Sequence, residues 1–194
     1  MSVPGALVPG TSERRLSGTT RELPHRLAAL ACAALAVIVR IVYLLESADN
    51  PFRARIGLDM AGYDRWARSI LEGKGLGEAP FTQAPLFPLV LAATYRLLGA
   101  DPVRALWMHL LPAAGAAFLL ADAAGRWRGR TAAWCAGLLA ALLKPAVFYT
   151  GALLPPAWVF FGAALCLWSV VRILLMPAER SRPARPLAAT GLAF

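Results

Sequence analysis

The sequence predicts an all-α polytopic membrane protein: a helical bundle integral to a bilayer, with an amphipathic surface helix in its first external loop. Three observations predict it. The chain of 194 residues is 58% apolar with a mean hydropathy of +0.56, well outside the range of ordinary soluble domains. Its apolar residues fall in runs of roughly the 20 residues a helix needs to cross the hydrocarbon core. Charge is sorted between those runs. Glu46, Asp49, Asp59, Asp64, Glu72 and Glu78 share one segment with Arg53, Arg55, Arg65, Arg68 and Lys74, whereas the other polar segments are basic and the chain carries +9.

Residues 1–25 are rich in Gly, Ser, Thr and Pro and read as a disordered cytoplasmic tail. Residues 26–194 form the transmembrane module. Its first span, 27–45, is too long for the apolar region of a cleaved signal despite Ala34-Leu35-Ala36, so an uncleaved signal anchor is expected. Arg40, near the outer end of that span, should snorkel or face a cavity. In the external loop, 46–84, Met60, Tyr63, Trp66, Ala67, Ile70 and Leu71 recur at helical spacing. Asp64, Arg65, Arg68, Ser69 and Glu72 take the opposite face, an amphipathic pattern suited to a membrane surface. Gly73, Gly75 and Gly77 should end that helix.

Residues 85–99 are short for a span and carry Pro85, Pro88 and Arg96, which suits a segment that dips into the membrane and returns. Full spans follow at 103–120, 131–149 and 157–176. His109 should make an interior polar contact, and Lys144, next to Pro145, should face the bundle or an aqueous pocket. The tail bases Arg14, Arg15, Arg21 and Arg26, the turn Arg126–Arg130, and the segment from Arg172 to Arg185 are all basic. The positive-inside rule puts the three in the cytoplasm and 46–84 outside. That parity holds only if 85–99 does not cross. The last residues, 186–194, begin a further apolar run, so the chain reads as the N-terminal part of a longer protein.

Cys32, Cys135 and Cys166 lie within apolar runs and read as buried small hydrophobes, with no disulfide framework or metal-ligand spacing. Nucleic acid is excluded as a partner, because the bases flank apolar spans rather than interleave with aromatics. Membrane lipid is the expected surrounding.

The residue best placed for chemistry is Asp59, in Gly57-Leu58-Asp59-Met60-Ala61-Gly62-Tyr63, just ahead of the amphipathic helix. Asp is a favoured N-cap, because its carboxylate accepts the orphan N–H groups of the first turn. A cap would also hold a carboxylate at a fixed point on the outer surface, so the two roles are compatible.

The run Leu58-Asp59-Met60-Ala61-Gly62-Tyr63-Asp64-Arg65-Trp66-Ala67, followed by Ile70 and Gly73, resembles the first external loop of GT-C membrane glycosyltransferases. The resemblance is greatest to bacterial relatives of the dolichyl-phosphate-mannose protein mannosyltransferases. Gln83-Ala84-Pro85-Leu86-Phe87-Pro88 is similar to the segment opening that family's second helix, and Arg126–Arg130 and Tyr149–Leu154 come in the family's order. The resemblance implies a bacterial inner-membrane enzyme, N-terminus cytoplasmic. It would transfer a sugar, with inversion, from a polyprenyl-phosphate donor to an acceptor protein or glycan on the outer face. It implies Asp59 as catalytic base, deprotonating the acceptor hydroxyl. Cations must stabilise the departing lipid phosphate; Arg53, Arg55, Arg65 or Arg68 are the candidates, and the sequence does not choose among them. Tyr63 and Gln83 are further candidates for substrate contact. No cofactor is implied outright, and the reaction admits a divalent metal. One departure stands out: where the family usually places an acid near the outer end of the next span, this chain has Pro155, Pro156, Ala157 and Trp158. That departure leaves a rival reading, a non-catalytic polytopic protein serving as scaffold or transporter fragment.

Overall fold

The computed structural model describes residues 13–50, 56–75 and 84–175, and every regular element among them is a helix. Helix α1 (Glu13–Glu46) contains the most apolar stretch, His25–Glu46, whose 22 residues have a mean hydropathy of 2.5. At 1.5 Å per residue it is about 33 Å long, enough to cross a bilayer. The helix also runs back to Glu13, so residues 13–24 are helical rather than the disordered tail expected. Once an apolar run has nucleated a helix, adding turns costs little, and Arg14, Arg15 and Leu16 favour it.

Two short helices, α2 (Leu58–Leu71) and α3 (Leu86–Leu98), come next. The turn α4 (Pro102–Ala105) starts with Asp101 accepting the N–H groups of Val103 at 2.9 Å and Arg104 at 3.4 Å, with Pro102 in the first turn, where a missing N–H costs nothing. A 3₁₀ turn (Leu106–His109) joins it to α5 (Leu110–Arg128), and together they make an apolar stretch of 27 residues. Helix α6 (Arg130–Leu142) is followed by α7 (Lys144–Phe148) and a second 3₁₀ turn (Tyr149–Gly151), and α8 (Pro156–Leu174) completes the described chain. Three helical stretches among the described residues are long and apolar enough to cross a membrane; α6 and the α7 segment, bent by 46°, have the length and composition of a fourth when the two are taken as one broken span.

The bend has a local cause. In an unbroken helix the Ala141 carbonyl would accept the N–H of residue 145, but that residue is proline and has none. Arg40 supplies the missing donor: its Nη1 gives hydrogen bonds to Ala141 O at 3.1 Å and Ala36 O at 3.0 Å. Arg40 is therefore buried in the bundle at 1% exposure and does not snorkel. Lys144, by contrast, turns outward, exposed beside Leu142, Leu143 and Cys135, so it does not face the bundle.

Small residues set the packing. A side chain at Gly125 would strike His25 and Ala133; one at Gly137 would strike Cys32 and Ala121; Ala36, Ala117, Ala140 and Ala141 form one cluster. These levels make α1 and α6 run one way and α5 the other, with backbones close enough for dispersion to hold them. Helices α5 and α8 run parallel, because Gly115 abuts Phe161 and Asp122 is bonded to Trp168, pairs with the same sequence offset. Of the cysteines only Cys32 is buried; Cys135 and Cys166 face outward from α6 and α8, so the expectation fails for those two.

The chain leaves α1 and enters α4 at one end of the bundle, where Leu44, Ala105, Leu106 and Leu153 share a core with Tyr63 and Ala67 of α2 and Phe87, Leu91, Ala92 and Tyr95 of α3. Segment 86–98 thus belongs to that end and does not traverse the bundle. His25, Arg26, Arg126, Arg128, Arg130 and Arg172 gather at the other end.

Candidate functional site

The end capped by α2 and α3 carries the residues singled out for chemistry. Gly57 is extended (φ −117°, ψ 162°) and Leu58 adopts φ 47°, a left-handed conformation unusual for a leucine. The helix therefore begins two residues earlier than the cap reading requires. Asp59 lies in the first turn of α2 and is not its cap. There the positive end of the helix dipole favours a carboxylate, and Asp59 is exposed.

Tyr63, one turn on, is 6% exposed and meets Phe87 edge to face with ring centroids 4.9 Å apart. Burial, and then the charge of Asp59, push its phenol pKa upward. It is a core residue of this end of the bundle. Helix α2 packs Tyr63 and Ala67, with Met60 and Ile70 beside them, against α3 and the bundle end, and leaves Leu71 exposed. The polar face is not simply solvated either. Asp64, whose side chain is 15% exposed, accepts the Tyr95 hydroxyl at 2.5 Å and Arg68 Nε at 3.0 Å. Arg68 also donates to the Ala100 carbonyl at 3.0 Å and lies 5.4 Å from the Tyr95 ring centroid. Burial, the bond to Asp64 and that carboxylate's charge all raise the Tyr95 phenol above its ordinary range. Asp64, Arg68 and Tyr95 thus clasp α2 to α3, which removes Arg68 from the loose cations able to meet a phosphate. Arg65 remains exposed on α2. Arg53, Arg55 and Gln83 lie outside the described residues. Gly73 and Gly75, with φ of 80° and 64°, turn the chain after α2 as expected; Gly77 lies outside.

Beside α2 a cleft of ≈ 190 Å³ opens between the end of α1 and the second 3₁₀ turn. Tyr43, Ser47 and Asn50 form one wall, Met60 of α2 another, and Phe148 and Gly151 the third. Tyr43 donates to the Phe148 carbonyl at 3.3 Å, and its ring comes so close that a β-carbon at Gly151 would sit 3.0 Å from it. Met60 reaches this cleft while Asp59, adjacent in sequence, does not line it. Below, buried His109 pairs through Nδ1 with the Thr150 carbonyl at 3.2 Å and stacks on Phe87, the interior contact expected of it. Among the described residues no group of three or more His, Cys, Asp or Glu could hold a metal ion.

A second polar cluster, at the opposite end, escapes the sequence reading. Asp122, 2% exposed, accepts Arg126 Nε at 2.6 Å and Trp168 Nε1 at 2.8 Å, with His25 Nε2 at 3.5 Å. It ties α1, α5 and α8 together. The available signal was an isolated acid in an Ala-rich run with an arginine four residues on.

Comparison with known proteins adds no relative: no family model matches, and neither the curated proteins nor the solved structures contain a significant match.

Proposed function

We propose that the chain is the N-terminal part of a GT-C-like glycosyltransferase. In this reading the bundle spans the bacterial inner membrane with its basic end in the cytoplasm. A sugar passes from a polyprenyl-phosphate donor to an acceptor on the outer side. The observation that carries the reading is the placement of Asp59. It is an exposed carboxylate at a helix N-terminus, on the end of the bundle opposite the clustered arginines, in a helix clasped rigidly to its neighbour.

The chemistry assigned to this end is short. An acceptor hydroxyl attacks the anomeric carbon; Asp59 takes its proton; the bond between that carbon and the lipid phosphate oxygen breaks, and the phosphate leaves with the electron pair. A base so placed contributes roughly 10²–10⁴ in rate. Arg65 is the described cation available to the leaving phosphate; Arg68 is committed to Asp64. Pro155 and Pro156 open α8 where a second acid would stand, so the reading rests on one carboxylate.

The test is sugar transfer by membranes carrying the full-length protein with native Asp59 or Asp59→Asn. The substitution loses a dipole interaction of about 0.3–1 kcal/mol, too little to unfold the bundle. A fall of about a hundredfold or more at normal expression supports the base. Unchanged transfer removes Asp59 from the mechanism, and no transfer by native protein with any lipid-linked donor favours the scaffold.

A further inference from the structure

Among the described residues, the basic end of the bundle holds more positive charge than Asp122 can balance, and the fold concentrates it. Because α5 and α8 run parallel with Gly115 beside Phe161 and Asp122 beside Trp168, the same offset brings Arg126 and Arg172 to one level. Arg126 serves Asp122. Arg172 has no carboxylate partner among the described residues and stands 4.9 Å from the centroid of the Trp168 ring, whose indole N–H is itself spent on Asp122. Arg128, just beyond, lies 5.4 Å from the exposed Trp127 ring, and Arg130 opens α6 across the Gly129 turn. Arg128 and Arg130 likewise have no acidic partner among the described residues. Three guanidinium groups and two indoles therefore rim the end of helices long enough to cross a bilayer.

We infer that this rim is a binding site for the phosphate headgroup of an anionic phospholipid from the adjoining leaflet. The chemistry fits on three counts. Guanidinium forks match phosphate oxygens, and stacking on indole holds two of them in place before the lipid arrives. Tryptophan rings favour headgroup depth. A headgroup also arrives with its acyl chains, which meet the outward apolar face of α8 (Leu167, Val170, Leu174), whereas a free phosphate has nothing to place there. The site requires the helices to lie in a bilayer and asks nothing of Asp59.

The experiment uses the full chain in nanodiscs of phosphatidylcholine containing phosphatidylglycerol, followed by extraction and native mass spectrometry of retained lipid. Native protein should retain phosphatidylglycerol well above its share of the disc. Each basic residue near the surface strengthens anionic-lipid attraction by about fivefold, so Arg128→Gln, Arg130→Gln and Arg172→Gln together should cut retention by about a hundredfold. Arg96→Gln with Arg104→Gln, exposed arginines near the other end, should leave it unchanged. Retention matching the disc composition in native protein overturns the site, and that arm needs no variant to fold. Equal loss in the control overturns it too, because net charge then suffices, as does retention unaltered in the triple variant.

Discussion

Gly137 offers the sharpest test of the packing. A β-carbon there would lie 2.5 Å from Cys32 Sγ, 2.7 Å from Cys32 Cβ and 2.9 Å from Ala121 Cβ, against the roughly 3.5–4.0 Å of a comfortable carbon contact. Two of those three atoms are β-carbons fixed to the backbones of α1 and α5, so no rotamer change relieves the clash and α6 must move away. Overpacking of this kind costs about 1–3 kcal/mol. Replacing glycine by alanine within a helix returns about 1 kcal/mol, so Gly137→Ala should destabilise by up to about 2 kcal/mol. Gly162 in α8 is the internal control: a β-carbon there meets nothing within 4 Å, so Gly162→Ala keeps the propensity gain alone. Equilibrium unfolding of both variants in one detergent, read by circular dichroism, should move them in opposite directions. Adding Cys32→Gly to Gly137→Ala should restore part of the loss and not all, because the Ala121 contact remains. A Gly137→Ala protein as stable as Gly162→Ala would refute the close approach of α6 to α1.

Removing the hydroxyl that Tyr95 gives to Asp64 should cost about 1.5–3 kcal/mol of α2–α3 docking in Tyr95→Phe, measured by proteolysis of the 46–84 segment. The Tyr95 phenol is raised in the folded state, so its contribution is complete below the ordinary phenol value of about 10 and is lost as pH climbs beyond it; an alkaline absorbance titration should lose a late-ionising phenol in Tyr95→Phe. Asp122→Ala removes the carboxylate shared by Arg126 Nε and the Trp168 indole and should destabilise by about 1.5–3 kcal/mol in the same unfolding assay; a loss below about 0.5 kcal/mol would mean water already serves that cluster. Single cysteines replacing Ser69 and Arg128, in a background lacking the native three, should react with an impermeant maleimide from opposite sides of sealed vesicles. Labelling of both from one side contradicts the non-crossing α3.

The long apolar helices were legible because apolar runs of that length have few other uses, and the expectation for 85–99 drew on its short length, Pro85, Pro88 and Arg96 as well as on charge parity. What the sequence hid was pairing between helices. Periodicity put Asp64 on a polar face correctly but held no trace of Tyr95, 31 residues on, whose hydroxyl draws it inward. Asp59 missed the cap position because the backbone at Gly57 and Leu58 starts the helix early, a choice made by local torsions. Tyr63 looked like a surface aromatic, and only the presence of Phe87 above it makes it core. Lys144 was expected inward as the intramembrane charge beside a proline, yet Arg40 already meets the carbonyl that proline leaves open, and the lysine is free to turn out.

That carbonyl has a consequence for how the protein is made. Arg40 emerges from the ribosome within the first span, and the Ala141 oxygen that receives it lies 101 residues downstream. In a bilayer the arginine without that partner would cost the apolar helix roughly 2.5–3.5 kcal/mol on insertion scales, to be offset by the leucines, isoleucines and valines of His25–Glu46. The guanidinium becomes sealed only when α6 has been synthesised, broken at Pro145 and laid against α1. A nascent chain that stalls before this point carries a buried charge seeking a partner, the kind of feature by which a membrane quality-control protease distinguishes an unfinished bundle from a finished one.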